Sequence, residues 1–106
     1  MPVLDTKQLP VLEKRPGWHG RLFHSPSLTF AHWDFDAGST IHEHSHLQEE
    51  VWNVIAGEIE VTIDGVALVA GPGMVAIVPA NAAHSVKALT GGKAIVVDYP
   101  LRTEFM

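Results

Sequence analysis

Turn-forming residues interrupt this chain so often that no long helix has room to form. Nine glycines and seven prolines are spread through 106 residues, and only short β-branched and aromatic runs lie between them. That pattern belongs to an all-β sandwich or barrel. Ser27 to Phe35 reads as one strand, ended by Asp36-Ala37-Gly38, and Glu50 to Ile55 as another, closed by Ala56-Gly57. Glu58 to Ile63 alternates strictly, with Ile59, Val61 and Ile63 on one face and Glu58, Glu60 and Thr62 on the other. Asp64-Gly65 supplies a two-residue hairpin turn, and Val66 to Ala70 returns. Met74 to Val78 and Ala94 to Tyr99 are mostly apolar, as expected of strands covered on both faces. His84 to Leu89 is a further strand, between Asn81 and Gly91-Gly92. Residues 1–17 carry Pro2, Pro10 and Pro16 and read as an N-terminal arm; residues 18–106 read as a single barrel domain.

Composition removes several function classes. The chain is 46% hydrophobic and 18% charged, too apolar for a disordered polypeptide. No apolar run approaches the roughly 20 residues needed to span a bilayer. The start, Met1-Pro2-Val3-Leu4-Asp5, lacks the basic residues and apolar stretch of a signal peptide, so a cytoplasmic protein is expected. A formal charge of -5 without a basic block argues against a nucleic-acid partner. The absence of cysteine removes disulfides, thiolate zinc sites and thiol nucleophiles.

Histidine is the enriched residue. Seven occur in the chain, and His42, His44 and His46 fall within five positions of one another. In an extended strand His44 and His46 point the same way, roughly 7 Å apart, so both imidazoles can reach one metal ion. Glu50 has the same parity and can add a carboxylate oxygen where the strand bends. Far downstream, Pro79-Ala80-Asn81-Ala82-Ala83-His84 places a lone histidine just after a turn. Three imidazoles and a carboxylate suit one divalent transition metal (Fe, Mn, Ni, Zn or Cu) better than Mg or Ca. Catalytic metals keep positions open for substrate or water. A second register, His42 and His44 with Glu49, has similar spacing.

The segment Gly38 to Gly57 resembles the first motif of the cupin family, G-x5-H-x-H-x3-E-x6-G, at Gly38, His44, His46, Glu50 and Gly57. The second cupin motif, G-x5-P-x-G-x2-H-x3-N, is matched at Gly73, Pro79 and His84. Asn81 stands where glycine is usual, and asparagine also tolerates a left-handed backbone. Ala88 stands where asparagine is usual. The resemblance implies a cupin-type double-stranded β-helix, or jelly-roll barrel, with His44, His46, Glu50 and His84 as metal ligands. It favours the first register, because Glu50 then lies seven residues before Gly57.

Cupins carry many chemistries, so fold alone leaves the reaction open. The resemblance implies an enzyme acting on a small oxygen-rich substrate chelated to the metal, of dioxygenase or sugar-acid isomerase/lyase type. The alternative is a non-catalytic metal-dependent ligand-binding or sensor module. Acid/base candidates are His42, His32 and Asp98, and pocket candidates are Trp52, Tyr99 and Arg102. Trp52, Val54, Ile59, Val61, Met74 and Ile77 are expected as apolar walls, and Trp33 and Phe35 as core or subunit interface. No chemistry is assigned to His19, Arg21 or His24. The tail Pro100-Leu101-Arg102-Thr103-Glu104-Phe105 resembles the P-x-R-x-D-F ending of pectin-degradation cupins, which convert unsaturated uronates into linear keto sugars. It departs from that group at Glu104, at Glu50, where glutamine is common, and at Val96, where an acidic residue is expected. A barrel of about 90 residues has a marginal core by itself, so a homodimer is expected.

Overall fold

Alternating burial along short strands divides the chain into two antiparallel sheets packed face to face. The computed structural model describes residues 3–105; residues 1 and 2 of the expected arm lie outside the described residues. The strands are β1 (Leu12–Arg15), β2 (Trp18–His24), β3 (Thr29–Phe35), β4 (Thr40–His44), β5 (Glu49–Ala56), β6 (Ile59–Ile63), β7 (Val66–Ala70), β8 (Val75–Val78), β9 (His84–Ala88) and β10 (Gly92–Tyr99). One sheet has the order β1-β2-β3-β10-β5-β8 and the other β4-β9-β6-β7. This is an all-β jelly roll: the turn spacing predicts the all-β class, and the resemblance to cupins implies the jelly roll. Residues 12–15, read from sequence within the arm, form the edge strand β1 paired to β2. No helix among the described residues is long and apolar enough to cross a membrane.

Strand register sorts the interior into layers. Asp98 on β10 pairs with Thr29 on β3 and with Glu50 on β5, and all three are buried. One layer deeper Val96 pairs with Ala31 and Trp52, and below that Ala94 pairs with Trp33 and Val54. The polar layer therefore lies at one end of an apolar stack. On the facing sheet His84 pairs with His44 and Ile63, at the end of a row that continues through Val86 and Ala88. Each fully buried Val, Ile or aromatic side chain in the stack contributes roughly 1.5–3 kcal/mol. Trp18 anchors it, edge-on to Trp33 (6.2 Å between centroids) and Trp52 (5.8 Å) and 5.3 Å from Phe35. Trp33 and Phe35 are thus core residues.

Two expectations about apolar strands are corrected. Met74 (52% exposed) and Ile77 (61%) point outward, so neither is a wall of the barrel interior. β8 is an edge strand, and within one chain no layer covers its outer side chains. Val66, Leu68 and Val69 on β7, the edge of the other sheet, are exposed for the same reason. Trp52, Val54, Ile59 and Val61 are buried as expected.

The turns follow the sequence signals. Asp64 and Gly65 both have positive φ (48° and 82°), the backbone of a two-residue hairpin turn, and Ile63 pairs with Val66 across it. Asn81, standing where glycine is usual, takes φ 66°. Gly57 combines φ 76° with contact: a Cβ there would lie 2.3 Å from the Gly91 carbonyl oxygen. At Gly65 a Cβ would meet open space. Gly65→Ala is expected to cost about 1 kcal/mol from backbone strain alone. Gly57→Ala must also displace the β9–β10 connection and is expected to cost at least about 3 kcal/mol. Equal losses in chemical denaturation would show that the Gly91 contact is unimportant.

Candidate metal centre

Three histidines meet where the polar ends of the two sheets face each other, and each arrives by a different route. His84 opens β9 with its side chain inward, continuing the buried positions Val86 and Ala88. His44 ends β4, three residues after the buried Ile41, a spacing that would put the two on opposite faces of a regular strand. The pairing shifts by one residue between Ile41–Val86 and His44–His84. This bulge turns His44 back toward the interior. It also breaks the parity that His42 was expected to share with His44. His46 lies beyond the end of β4, in the segment leading to Glu49, rather than on a continuous strand.

Hydrogen bonds fix the direction of each ring. His44 Nδ1 donates to the His42 carbonyl at 2.8 Å, His46 Nδ1 to the Gln48 carbonyl at 3.1 Å, and His84 Nδ1 to the Ala82 carbonyl at 2.8 Å. A carbonyl only accepts, so in each neutral ring the proton sits on Nδ1 and Nε2 presents a lone pair. The ring centroids are 4.3 Å (His44–His84), 4.8 Å (His46–His84) and 5.4 Å (His44–His46) apart. One ligand atom from each of these residues lies within 4.8 Å of the others.

Glu50 faces this group. Its Oε1 is 3.4 Å from His46 Nε2 and its Oε2 is 3.3 Å from His84 Nε2. Neither of these buried Nε2 atoms has a hydrogen-bond partner. Lone pairs and carboxylate oxygens facing one another in a buried space repel unless a proton on an imidazole or a metal cation lies between them. That observation fits a divalent transition metal held by imidazole nitrogens and an oxygen. His46, Glu50 and Asp98 form a second group of the same kind, sharing His46 with the first.

The carboxylate itself is braced from behind. Trp52 Nε1 donates to Glu50 Oε2 at 2.7 Å, and Arg102 Nη1 donates to Glu50 Oε1 at 3.3 Å and to Asp98 Oδ2 at 3.5 Å. Arg102 is only 7% exposed, with its backbone N–H on Thr29 Oγ1 and its Nε on Glu104. Burial alone would raise the pKa of Glu50, but interactions with His46, His84, Asp98 and Trp52 hold it well below the usual range. Burial and the neighbouring Glu50 charge push Asp98 the other way, to about 8. Burial lowers His44, whereas in His84 it is outweighed by Glu50 and the Ala82 carbonyl, which raise it.

Of the residues singled out in the sequence, His44, His46, Glu50, His84, Trp52, Asp98 and Arg102 come together here. Three do not. His42 is exposed beside His44, its ring 5.9 Å away. His32 lies on the outer face of the large sheet against Phe23, because the inward positions of β3 are Thr29, Ala31, Trp33 and Phe35. Tyr99, next after the inward Asp98, points out and is 57% exposed. The sequence reading missed Arg15, which lines the same cavity as His44 and Asp98. It also missed Gln48, whose side chain ties the site to the Leu101 carbonyl at 2.9 Å.

The opposed shifts give the metal-free protein a defined pH dependence. The unfolded chain releases the Asp98 proton near 3.8 and the folded chain near 8, so stability drains away as pH rises between those values. His84, raised when folded, adds stability below 6.5 that is lost as pH climbs past its folded pKa. Glu50 acts oppositely: its contribution is complete above 4.5 and is lost as pH falls through its lowered pKa. His44, lowered by burial, offsets part of the trend, because its contribution is present above 6.5 and lost as pH falls. Thermal unfolding of the chelator-treated protein is therefore expected to be easier at pH 8 than at pH 5. Asp98→Asn should flatten that trend. An unchanged slope in the variant would assign the pH dependence elsewhere.

The profile of the cupin domain matches residues 31–99 of this chain. No curated protein sequence matches it. Among solved structures, an RmlC-like cupin from Shewanella frigidimarina is 26% identical, with 100% of this chain and 96% of that one covered and a TM-score of 0.92. KdgF from a Halomonas species is 23% identical over 96% of this chain and 97% of that one, with a TM-score of 0.89. A predicted oxalate decarboxylase from Thermotoga maritima is 18% identical over 93% and 99%, with a TM-score of 0.81. The family match spans all four expected ligands and the acid beside them; the chain belongs to the cupin family.

Proposed function

We propose that this protein is a metal-dependent enzyme that moves protons on a small oxygen-rich acid, in the manner of an isomerase or lyase. The observation that carries the reading is a cluster of three histidines, each ring set by an Nδ1 hydrogen bond to a main-chain carbonyl, two of which (His46 and His84) turn Nε2 toward the braced Glu50. His44, His46, His84 and Glu50 would hold one divalent transition metal per chain. When bound, such an ion supplies Lewis acidity to a chelating carbonyl or hydroxyl oxygen.

The remaining work falls to the chain's own residues. Asp98 lines the same cavity as His44 and Glu50, and its Oδ1 is buried without a hydrogen-bond partner. It is the group positioned to take a proton from, or return one to, a substrate there, a role worth about 10²–10⁴-fold in rate. Trp52 and Arg102 keep Glu50 in place, while Ala31, Ile41 and Val96 make the cavity wall apolar and strengthen the electrostatics inside it. An acid/base group directly beside the ligands favours proton transfer over dioxygenase chemistry.

The first test is metal content by elemental mass spectrometry on untagged protein purified without chelator, beside His84→Ala. About one equivalent in the wild type and a large loss in the variant are expected. No metal after reconstitution with Zn, Mn, Ni or Fe(II) would end the reading. The second test follows deuterium exchange from solvent into keto and uronic acids by NMR, with dissolved oxygen monitored. Exchange without oxygen consumption, reduced at least about 100-fold in Asp98→Asn, is expected. Ligand binding without exchange would make the protein a binding module, and substrate-dependent oxygen uptake would make it a dioxygenase.

A further inference from the structure

Two arginines line the cavity beside His44 and Glu50, and they are in opposite situations. Arg102 is deep and engaged, with Glu50, Asp98 and Glu104 all paired to its guanidinium. Its charge is already balanced inside the protein. Arg15 is half-buried at the end of β1, and no carboxylate among the described residues pairs with it. Glu13, its neighbour on the same strand, is occupied by the Gly17 N–H at 3.0 Å and by His19 at 3.6 Å. Asp36 is taken by His19 and Asp34 by Lys93.

Arg15 reaches the cavity by the same device as His44. The pairing of β1 with β2 shifts between Leu12–Gly20 and Arg15–Trp18. Arg15 therefore lies opposite Trp18, on the face that turns toward the core. A partly desolvated guanidinium without a counter-ion is costly to keep, and its flat fork of donors matches a carboxylate in bidentate fashion. The enclosed space of the cavity is about 20 Å³, enough for roughly one water. A ligand can place only its chelating oxygens beside His44 and Glu50 and must leave the rest of itself toward the mouth.

We infer that Arg15 is the specificity-determining residue that receives a carboxylate of the ligand, and that the ligand is an acid whose carboxylate stands apart from its metal-chelating oxygens. The inference rests on the metal-dependent reading above and adds the class of molecule that the site selects. Arg102 has no part in that selection, because its charge is balanced internally.

The test uses the full chain loaded with Co(II) and followed by its visible absorption. The probes are the monohydroxamates of malonic and succinic acid, each beside its terminal amide. All four chelate through the same two oxygens and differ in linker length and in the remote carboxylate. Wild type is expected to bind the acid of at least one length roughly 10-fold more tightly than its amide. Arg15→Gln should erase that preference while leaving amide affinity and cobalt stoichiometry unchanged, and Arg15→Lys should keep part of it. The lysine variant, with an unfolding midpoint measured alongside, covers the case in which Arg15→Gln folds poorly. An acid preference that survives in Arg15→Gln, or none in the wild type at either length, would overturn the role of Arg15 with the metal reading intact. Failure of the wild type to bind cobalt would overturn both.

Discussion

One buried carboxylate organises the functional end of this barrel. Glu50 is 3% exposed, and an ionised carboxylate so far from water survives only where donors or cations surround it. Trp52 and Arg102 supply donors from behind, and the histidine cluster faces it from the front. The layers of the fold follow from this requirement. Thr29, Asp98 and Glu50 share one cross-strand row, Arg102 is pinned to Thr29 and closes over that row, and the apolar stack begins one row deeper. The carboxylate is therefore braced on the side facing the core and presented to the histidines on the other. Metal-binding and catalytic sites need that asymmetry.

The architecture was legible in the sequence wherever period and punctuation acted locally. The strict alternation at Glu58 to Ile63 and the Asp64-Gly65 turn produce the β6–β7 hairpin, with positive φ at both turn residues. The four residues expected as metal ligands lie together at one end of the barrel, because the spacing of the two cupin motifs encodes register as well as identity. Asn81, a departure from the motif, adopts the left-handed backbone that glycine would have taken.

Other features were not legible, for identifiable reasons. A bulge adds one residue to a strand and reverses the face of everything beyond it, and no local residue pattern announces it. Two such shifts matter here, one delivering His44 and separating it from His42, the other delivering Arg15 from a segment that reads as an arm. His32 and Tyr99 fail for the simpler reason that each is one residue out of phase with the inward row of its strand. β8 shows the limit of hydrophobicity as a signal: Val75 and Ile77 read as covered residues, yet the strand lies at a sheet edge and both are more than half exposed. Apolar sequence reports a preference for burial, whereas sheet order decides what is available to bury it.

The indole of Trp52 gives the centre an intrinsic optical readout. Its N–H is bonded to Glu50, and its ring is 5.8 Å from that of Trp18, which in turn is 6.2 Å from Trp33. The chain has three tryptophans, so this cluster is the whole of its indole population. At such separations excitation passes between rings far faster than it is emitted. A paramagnetic ion arriving beside Glu50 would drain the emission of all three rings through the one that touches the carboxylate. The near-ultraviolet circular dichroism, dominated by the same coupled rings, would shift with it. The packing that stabilises the barrel thus also makes the state of its functional end visible in solution without an added label.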